Sequence, residues 1–468
     1  MDKGLDLNYR RLVIAGTGSG VGKTSIAIGI MKALIDKGYR VQGFKVGPDY
    51  IDPSYHTSIT GRASRNLDPW LMREDGVIAS FVNAMRDADV AVIEGVMGMY
   101  DGLSGKDDYA STAHVARILK SPVILVLDAS KSARSIAAVA LGFIRYGSSR
   151  SRYSRIKGVI LNNIASDRHA EYCIDALEQL NIQVLGVVKR SNDIMLEERH
   201  LGLIPTYESK NIRDKAYKVA AYVKDHLNID AIVGIVESST KERIGSRHSN
   251  KSIDSINTKR DVSIGVALDE SFNFYYADNI DILSRHADIK FFSPINDKDL
   301  PDCDALYIGG GFPEVLADAL SKNTSMMSSI KKMAEDGMPI YAECGGLMYL
   351  SRCIINDNGK YIMVGLIDAD TIMSKRLTLN YTEVKVVKPC IVSTHANIIK
   401  GHEFHYSRLD NVAKDSTFAY EMLRGKGIDG KHDGIIVYNT LASYMHIHFA
   451  YKDIVRNLIK ACKRYKRL

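Results

Sequence analysis

Residues 16–24 read Gly-Thr-Gly-Ser-Gly-Val-Gly-Lys-Thr, follow the apolar run RLVIA and lead into the helix-forming run SIAIGIMKALIDKG. Glycines in such a loop let backbone amides point inward and cradle phosphate oxygens at the N-terminus of a helix. Lys23 supplies a cation, and the Thr24 hydroxyl can bind a magnesium ion. This stretch therefore predicts a site for ATP with Mg²⁺, and a glycine-rich turn without a ligand is the alternative. The residues assigned to the phosphates are Gly16, Thr17, Gly20, Gly22, Lys23 and Thr24.

The loop departs from the strict Walker spacing at one position. Thr17 stands five residues before Gly22, where that spacing has a glycine, and Gly16 lies one place earlier. The shift is compatible with phosphate binding, but it makes a motor protein or a GTPase a weaker interpretation.

Short apolar runs and helical stretches alternate outward from this loop. Runs such as DVAVIEG, SPVILVLDA and IKGVILNN are bounded by turn residues, which is typical of buried parallel strands. We therefore predict an α/β fold with a doubly wound parallel sheet of the P-loop type over residues 1–236. Residues 237–261 are polar and charged and predict a linker, and residues 262–468 predict a second α/β domain.

Four acidic residues follow strands of the first predicted sheet. Glu94 ends the run DVAVIE, and Asp101 lies shortly after it. Asp49 and Asp52 lie in the proline-bounded loop KVGPDYIDP. Because ligands bind at the carboxyl edge of such sheets, we expect these carboxylates and Thr24 to form the magnesium and phosphoryl-transfer site. A purely structural role is the alternative, as turn formers for the two loop residues.

Cys344 lies within PIYAECGGLM, where a predicted strand leads into glycines before a helix. That order is typical of the strand-to-helix elbow that exposes a nucleophile. Because a helix N-terminus lowers the pKa of a thiol, we expect Cys344 to attack an amide carbonyl, and an inert buried cysteine is the alternative. The glycine run GGGFPE predicts an oxyanion hole or a tight turn. The amides assigned to the oxyanion hole are those of Gly309, Gly310, Gly311 and Gly345.

A catalytic base is offered by the segment ASYMHIHF, which holds His446 and His448. In an extended segment both imidazoles face one side, so a two-histidine metal site competes with a Cys–His pair. The sequence places no cysteine or acid at metal-ligand spacing beside them, which favours the pairing of His446 with Cys344.

Composition limits the class of protein. The 468 residues are 46% hydrophobic, which suffices for two or three cores. The six cysteines form no CxxC pair, so neither a zinc ribbon nor a disulfide framework is expected. The net charge of +7 is diffuse and no run of about 18 apolar residues occurs, so we expect neither a nucleic-acid nor a membrane partner. With no signal peptide recognised, a cytoplasmic location is expected.

The chain resembles the cobyrinic acid a,c-diamide synthase family nearly end to end. The motifs that carry the resemblance, in the family's order, are GTGSGVGKT, FKVGPDYIDPSYH, RNLD, EGVMGMYDG, ERHLGLIP, GGGFPE, AECGGLMYL, GHEFHYS and ASYMHIHF. The resemblance implies a dethiobiotin-synthetase-like ATP domain followed by a class I glutamine amidotransferase domain. It also implies amidation of the a and c side chains of a tetrapyrrole polycarboxylate through an acyl phosphate, with glutamine or ammonia as nitrogen donor.

Residue roles follow from the same resemblance. Cys344 is the implied glutaminase nucleophile and His446 its base. Ordinary class I glutaminases carry a glutamate two places after this histidine, and here that place is His448. The third member of the triad is therefore missing or differently supplied.

Three other interpretations stay open at this point. Relatives that amidate nickel sirohydrochlorin, on the way to coenzyme F430, share these motifs. A nucleotide switch of the partitioning type shares the sheet, but such proteins carry an additional lysine early in the loop, where this chain has none. A binding protein with an inactive glutaminase half is disfavoured because Cys344 and His446 are both present. A homodimer is compatible with each interpretation.

Overall fold

A parallel β-sheet of seven strands forms the centre of the first of two compact units, Met1–Lys251 and Ser252–Leu468. The computed structural model describes residues 8–151, 155–191, 196–199, 202–207, 209–244 and 260–467. The strands of this sheet are β1 Arg10–Gly16, β2 Val41–Val46, β3 Arg65–Leu67, β4 Val90–Glu94, β5 Val123–Asp128, β6 Ile156–Ile164 and β7 Val184–Lys189. Their order is β3-β2-β4-β1-β5-β6-β7, and every neighbouring pair is parallel.

Helices connect these strands. They are α1 Lys23–Asp36, α2 Asp52–Thr60, α3 Pro69–Ala84, α4 Thr112–Ile118, α5 Ile136–Ser151, α6 Asp167–Glu178, α7 Lys210–Lys224 and α8 Ile229–Ser238. A small antiparallel pair, β8 Glu198–Arg199 and β9 Gly202–Leu203, precedes α7. The predicted parallel sheet is confirmed, and its strands are apolar on both faces because helices cover them.

Strand register brings distant residues together at the carboxyl edge of this sheet. Glu94, the last residue of β4, is paired in register with Ile14 of β1 and with Lys45 of β2. The phosphate loop leaves β1 at Gly16, one strand away from Glu94. The edge at which the sequence predicts a site therefore carries the loop, a carboxylate and a lysine.

The start of the predicted linker is folded onto the first unit. Ser239 Oγ accepts a hydrogen bond from the backbone N–H of Arg11 at 3.0 Å. The fully buried guanidinium of Arg11 also donates to the backbone oxygen of Glu242 at 2.5 Å. Residues 245–259 of the predicted linker lie outside the described residues. Residues 237–244 thus belong to the first unit, because they supply acceptors that β1 needs.

The second unit contains a mixed sheet of twelve strands and a two-stranded ribbon. Its strands are β10 Ser263–Ala267, β11 Phe272–Phe274, β12 Asp288–Phe292, β13 Ala305–Ile308, β14 Gly310–Gly311, β15 Ile340–Glu343, β16 Ser351–Asn356, β17 Gly359–Ile362, β18 Ile367–Val386, β19 Ile398–Asp410, β20 Thr417–Arg424, β21 His432–Val437, β22 Thr440–Ser443 and β23 His446–Ile447. Its helices are α9 Ala277–Ser284, α10 Ala317–Lys322, α11 Thr324–Glu335, α12 Gly345–Leu350 and α13 Lys452–Tyr465.

One half of that sheet is parallel and the other largely antiparallel. The order β12-β10-β13-β15-β22 is parallel throughout, whereas β22, β21, β20 and β18 pair antiparallel. Apolar clusters cover the sheet, one containing Ile308 and Leu347 and the other Val266 and Leu458. The predicted second α/β domain is confirmed. Within the described ranges, no helix is long and apolar enough to cross a membrane.

Candidate active sites

The phosphate loop turns sharply at Gly22, immediately before α1. Gly22 has φ 90°, a left-handed conformation that L side chains rarely adopt. A Cβ at this position would lie 2.2 Å from Asn162 Nδ2 at the end of β6. Asn162 Nδ2 donates to the backbone oxygen of Val21 at 2.9 Å, so this side chain fastens the loop to the sheet. Conformation and crowding both require glycine here.

Lys23 lies across the loop with its ammonium group buried. Nζ donates to the backbone oxygens of Gly18 at 2.7 Å and Met97 at 2.8 Å. Burial and the nearby charge of Lys45 lower the pKa of Lys23 to about 8. Two neutral carbonyls hold the ammonium group in place, and an entering phosphate would add an anionic partner.

Glu94 is the centre of a buried network beside the loop. One carboxylate oxygen, Oε1, accepts from Thr24 Oγ1 at 2.8 Å and from Lys45 Nζ at 2.9 Å. The other oxygen lies 2.6 Å from His56 Nε2, whose Nδ1 lies 3.1 Å from Ser64 Oγ. Burial opposes ionisation of Glu94, but the Lys45 charge and the His56 bond outweigh it and lower the pKa of Glu94. The carboxylate is therefore held ionised beside the predicted magnesium ligand Thr24.

Lys45 and His56 are site residues that the sequence analysis missed. Burial disfavours the charged form of Lys45, but Asp52 and Glu94 outweigh that effect and raise the pKa of the ammonium group. Both residues lie within FKVGPDYIDPSYH, in which only Asp49 and Asp52 were predicted as site residues. The available signal was a lysine near the end of a buried strand, where an unpaired charge is costly.

Asp49 and Asp52 have different surroundings in their loop. Asp49 Oδ1 accepts from the backbone N–H of Ile51 at 2.8 Å and of Asp52 at 3.2 Å, so Asp49 builds the turn. Its other oxygen lies 3.7 Å from Lys45 Nζ, which Asp52 contacts more closely. Burial, Asp49 and Glu94 raise the pKa of Asp52. Asp49 therefore acts as a turn former, whereas Asp52 joins the buried network around Lys45 and Glu94.

Asp101 lies in the turn after β4 and borders a cavity. Its Oδ2 accepts from the backbone N–H of Gly98 at 2.8 Å. The cavity measures about 870 Å³, and its walls include Met97, Tyr100 and Tyr146. Because the backbone of Met97 also accepts from Lys23, the cavity adjoins the phosphate loop.

Cys344 occupies a strained elbow between β15 and α12. Its φ of 49° and ψ of −97° place a non-glycine residue in the left-handed half of backbone space. The Cys344 backbone N–H donates to the oxygen of Ser443 at 2.7 Å, which ties the elbow to β22. The thiol donates to the backbone oxygen of Phe404 at 3.6 Å. This is the strand-turn-helix geometry of a nucleophile elbow.

The pKa of Cys344 differs from the sequence-based expectation. Burial, followed by the charge of Glu314, raises it above the ordinary thiol value, although the Gly345 amide acts in the opposite direction. The following helix, α12, spans only six residues, Gly345–Leu350. The expected lowering is wrong, because desolvation of the thiolate outweighs the short helix. Cys344 therefore needs a base to remove its proton.

The glycine run lies between the elbow and the histidine. A Cβ at Gly345 would lie 3.1 Å from the amide nitrogen of Gly311, and a Cβ at Gly310 would lie 2.6 Å from His446 Cε1. The amide of Gly309 donates to Tyr275 Oη at 2.8 Å and is engaged in that bond. Of the four amides assigned to the oxyanion hole, that of Gly309 is thus already engaged, whereas Gly311 lies against Gly345 and Gly310 lies against His446.

His446 and His448 contact different carboxylates. His446 Nδ1 lies 3.6 Å from Glu343 Oε2, and the ring stacks on His402 with centroids 4.9 Å apart. His448 Nε2 lies 3.5 Å from Asp278 Oδ2. In the part of the chain that the structure describes, no group of three or more His, Cys, Asp or Glu side chains could hold a metal ion. These separate partners favour the Cys–His interpretation over a shared metal.

Family models match both halves of this chain. A CobQ/CobB/MinD/ParA nucleotide binding domain matches residues 12–204, and a CobB/CobQ-like glutamine amidotransferase domain matches residues 263–454. The chain is 42% identical to the cobyrinate a,c-diamide synthase of Archaeoglobus fulgidus over 99% of both chains. It is 45% identical to the cobyrinate a,c-diamide synthase of Methanosphaera stadtmanae, over 94% of this chain and 96% of the relative. For the enzyme of that name from Methanosarcina acetivorans the identity is 41%, over 97% of this chain and 96% of the relative.

Proposed function

We propose a function from one premise: this chain belongs to the cobyrinate a,c-diamide synthase family. It uses ATP and glutamine to convert the carboxylates of the a and c side chains of cobyrinic acid into amides. One observation carries the proposal, namely that a single chain holds both a phosphate loop beside a carboxylate network and a strained cysteine elbow beside a histidine.

The glutaminase half releases ammonia. His446 takes the proton of the Cys344 thiol, and the thiolate sulfur attacks the side-chain carbonyl carbon of glutamine. The amides of Gly310, Gly311 and Gly345 stabilise the negative oxygen of the tetrahedral intermediate. The C–N bond then breaks as His446 returns the proton to the leaving nitrogen, which forms ammonia and a glutamyl thioester. Water hydrolyses the thioester to glutamate and the free thiol.

The synthetase half activates the acceptor. A carboxylate is a poor electrophile at neutral pH, so ATP transfers its γ-phosphoryl group to the carboxylate oxygen, giving an acyl phosphate and ADP. Lys23 and the loop amides hold the phosphates and stabilise the charge that develops on them. Ammonia then displaces phosphate from the acyl carbon and forms the amide.

Magnesium fits the donors beside the loop. Mg²⁺ prefers hard oxygen ligands, and Thr24 Oγ1 already lies 2.8 Å from a carboxylate oxygen of Glu94. Thr24, Glu94 and Asp52 would hold the ion, with Asp49 and Asp101 nearby. When bound, it supplies positive charge to the transferring phosphoryl group.

The cavity beside the loop supports a large, flat acceptor. Its volume of about 870 Å³ is near the upper end of the range of small-molecule sites. Tyr100 and Tyr146 form an aromatic wall with ring centroids 5.0 Å apart. Asp101 borders it close to the loop, where the reacting carboxylate must meet the γ-phosphate. We propose that a tetrapyrrole occupies this cavity, in the cytoplasm, where ATP and glutamine are supplied, and that the chain works as a monomer or a homodimer.

Product analysis with two macrocycles tests the function. Purified chain receives ATP, Mg²⁺ and glutamine with either cobyrinic acid or nickel sirohydrochlorin, and the products are weighed by mass spectrometry. We expect two amidations of cobyrinic acid. Amidation of nickel sirohydrochlorin alone would overturn the choice of substrate. ATP hydrolysis without product from either macrocycle would favour the nucleotide-switch alternative.

Two variants separate the half-reactions. Cys344→Ala should lose glutamine-dependent product but keep ammonia-dependent product, because the synthetase half is unchanged. Lys23→Ala should lose both, because phosphate binding fails. Loss of both activities in Cys344→Ala would contradict the role given to the thiol.

A further inference from the structure

The base of the glutaminase half lacks the carboxylate that a class I enzyme places two residues further along. That position is His448, whose ring contacts Asp278 and Tyr276. A histidine that must accept and return a proton needs a partner for its other ring nitrogen, which fixes the tautomer and stabilises the imidazolium ion. The partner of His446 must therefore come from another part of the fold.

Glu343 is the carboxylate that faces His446. Its Oε2 lies 3.6 Å from His446 Nδ1, and the side chains are 1% and 0% exposed. Glu343 directly precedes Cys344, so the end of β15 carries both the nucleophile and this carboxylate. The distance exceeds that of a direct hydrogen bond, but catalytic hydrogen bonds are often long before substrate binds and then tighten.

Glu343 is held by donors from three directions. Tyr341 Oη donates to Oε1 at 2.7 Å, and the backbone N–H of Ile447 donates to the same oxygen at 2.9 Å. Tyr307 Oη donates to Oε2 at 2.9 Å. Donors to both oxygens fix the carboxylate in place, and the Ile447 bond anchors it to the residue that follows His446.

We propose that Glu343 is the positioning residue of His446, taking the part of the missing triad carboxylate; this inference rests on the proposed glutaminase function. Glu343 Oε2 accepts the Nδ1 proton of His446, so that Nε2 is the nitrogen that takes the Cys344 proton. When Nε2 gains that proton, the carboxylate stabilises the imidazolium ion. When the C–N bond of glutamine breaks, Nε2 gives the proton to the departing nitrogen, and no proton passes to Glu343.

A second interpretation makes Glu343 a purely structural bridge between Tyr307, Tyr341 and the amide of Ile447. The two interpretations differ in what the negative charge does. Glutamine keeps one acceptor oxygen for Tyr341 and Ile447, and its amide N–H can donate to the Tyr307 hydroxyl, so it can still bridge these groups; it lacks only the negative charge that positioning requires. Glu343→Gln and Glu343→Asp therefore separate them.

Steady-state glutamine hydrolysis by the full chain is the first measurement. Glu343→Gln should lower kcat about 100-fold or more and leave KM for glutamine within about threefold, because the charge acts in the transition state. Glu343→Asp keeps the negative charge, so its kcat should be at least about tenfold higher than that of Glu343→Gln. Asp278→Asn is the matched control, because it alters the contact between Asp278 and His448. Its kcat for glutamine hydrolysis should stay within about threefold of that of the unaltered chain.

The pH dependence of Cys344 alkylation by iodoacetamide is the second measurement. The titratable groups that contact or electrostatically affect His446 are Glu343 from β15 and His402 and His405 from β19, and Cys344 is its proposed proton donor. Without the anion, His446 holds a proton less well, so thiolate formation in Glu343→Gln should move to higher pH. Ammonia-dependent synthesis should stay unchanged, because it does not use this site.

Any of three results would overturn the inference. The first is a Glu343→Gln variant that keeps kcat within about threefold of the unaltered chain. The second is a loss of kcat with an unmoved alkylation profile, and the third is an equal loss of kcat in Glu343→Asp; either would leave only the structural bridge. If Glu343→Gln does not fold, Tyr307→Phe removes only the hydroxyl that donates to Oε2, so the carboxylate accepts the His446 Nδ1 proton more strongly and the alkylation profile should move to lower pH; an unmoved profile would contradict the inference. An unaltered chain that hydrolyses no glutamine would instead refute the proposed function.

Discussion

Lys45 and Glu94 are paired in register at the carboxyl ends of β2 and β4, and their charged atoms lie 2.9 Å apart in the interior. The side chains are 3% and 0% exposed. Neither residue alone could be buried as an ion without a large cost, so each depends on the other. This pair holds together the carboxylate cluster that we assign to phosphoryl transfer.

Lys45→Met should therefore destabilise the first unit strongly. It leaves Glu94 and Asp52 as buried carboxylates without their cation, which costs about 3–5 kcal/mol when a buried pair is broken. Lys32→Met is the control, since Lys32 pairs with Asp36 on the surface and should cost about 0.5 kcal/mol or less. Urea denaturation measures both. A Lys45→Met chain within about 1 kcal/mol of the unaltered one would contradict the dependence.

The use of ATP should weaken as pH rises above about 8, where Lys23 loses its proton. Burial and Lys45 lower this pKa from its ordinary value, so the ammonium group is charged below about pH 8 and neutral above it. Since kcat/KM reports the free enzyme, a plot of kcat/KM for ATP against pH should fall through that value. Lys23→Arg keeps its charge, and in that variant the fall should disappear. If kcat/KM for ATP still falls near pH 8 in Lys23→Arg, a group other than Lys23 causes the fall.

Gly310→Ala should damage glutamine hydrolysis selectively. The added methyl group would lie 2.6 Å from His446 Cε1, so the ring must shift from its position. A misplaced base should lower glutamine-dependent kcat about 100-fold, while ammonia-dependent synthesis stays unchanged. Gly234→Ala in α8 is the control, because a Cβ there meets no atom within 4 Å. Equal loss of both activities in Gly310→Ala would contradict a local effect.

Gly22→Ala should weaken ATP binding through two separable effects. The methyl group would lie 2.2 Å from Asn162 Nδ2, and the left-handed backbone would cost about 1–2 kcal/mol. The double variant Gly22→Ala with Asn162→Ala removes the collision and keeps the strain, so its affinity should recover in part. Calorimetric titration with ATP measures both variants. A double variant weaker than Gly22→Ala would show that the bond from Asn162 to Val21 matters more than the collision.

The sequence predicted the elements that local patterns define. Short apolar runs predicted the buried strands. The glycines of residues 16–24 predicted the phosphate site, because glycine marks backbone conformations that other residues rarely adopt. The three-residue edge strand β3 escaped notice, since Arg65–Leu67 is too short for a periodic signal. The 20-residue strand β18 was not predicted, because buried and exposed residues do not alternate regularly along its length.

Partners across the fold were beyond reach of local patterns. Lys45 meets Glu94, and Glu343 meets His446, only after strand register and sheet order are known. The pKa of Cys344 was expected in the wrong direction because the burial of the thiol depends on tertiary packing. Residue types at an elbow predict a nucleophile, whereas the polarity around it is set by the rest of the unit.

Arg11 has a practical consequence for anyone who wishes to prepare the first unit alone. Its fully buried guanidinium donates to the backbone oxygen of Leu119 at 2.6 Å and to that of Glu242 at 2.5 Å. A truncation at residue 236 would remove the Glu242 oxygen that this cation bonds and the Ser239 hydroxyl that accepts from the Arg11 backbone N–H. An expression fragment should instead extend past Ile244, so that the last turn can close over the sheet.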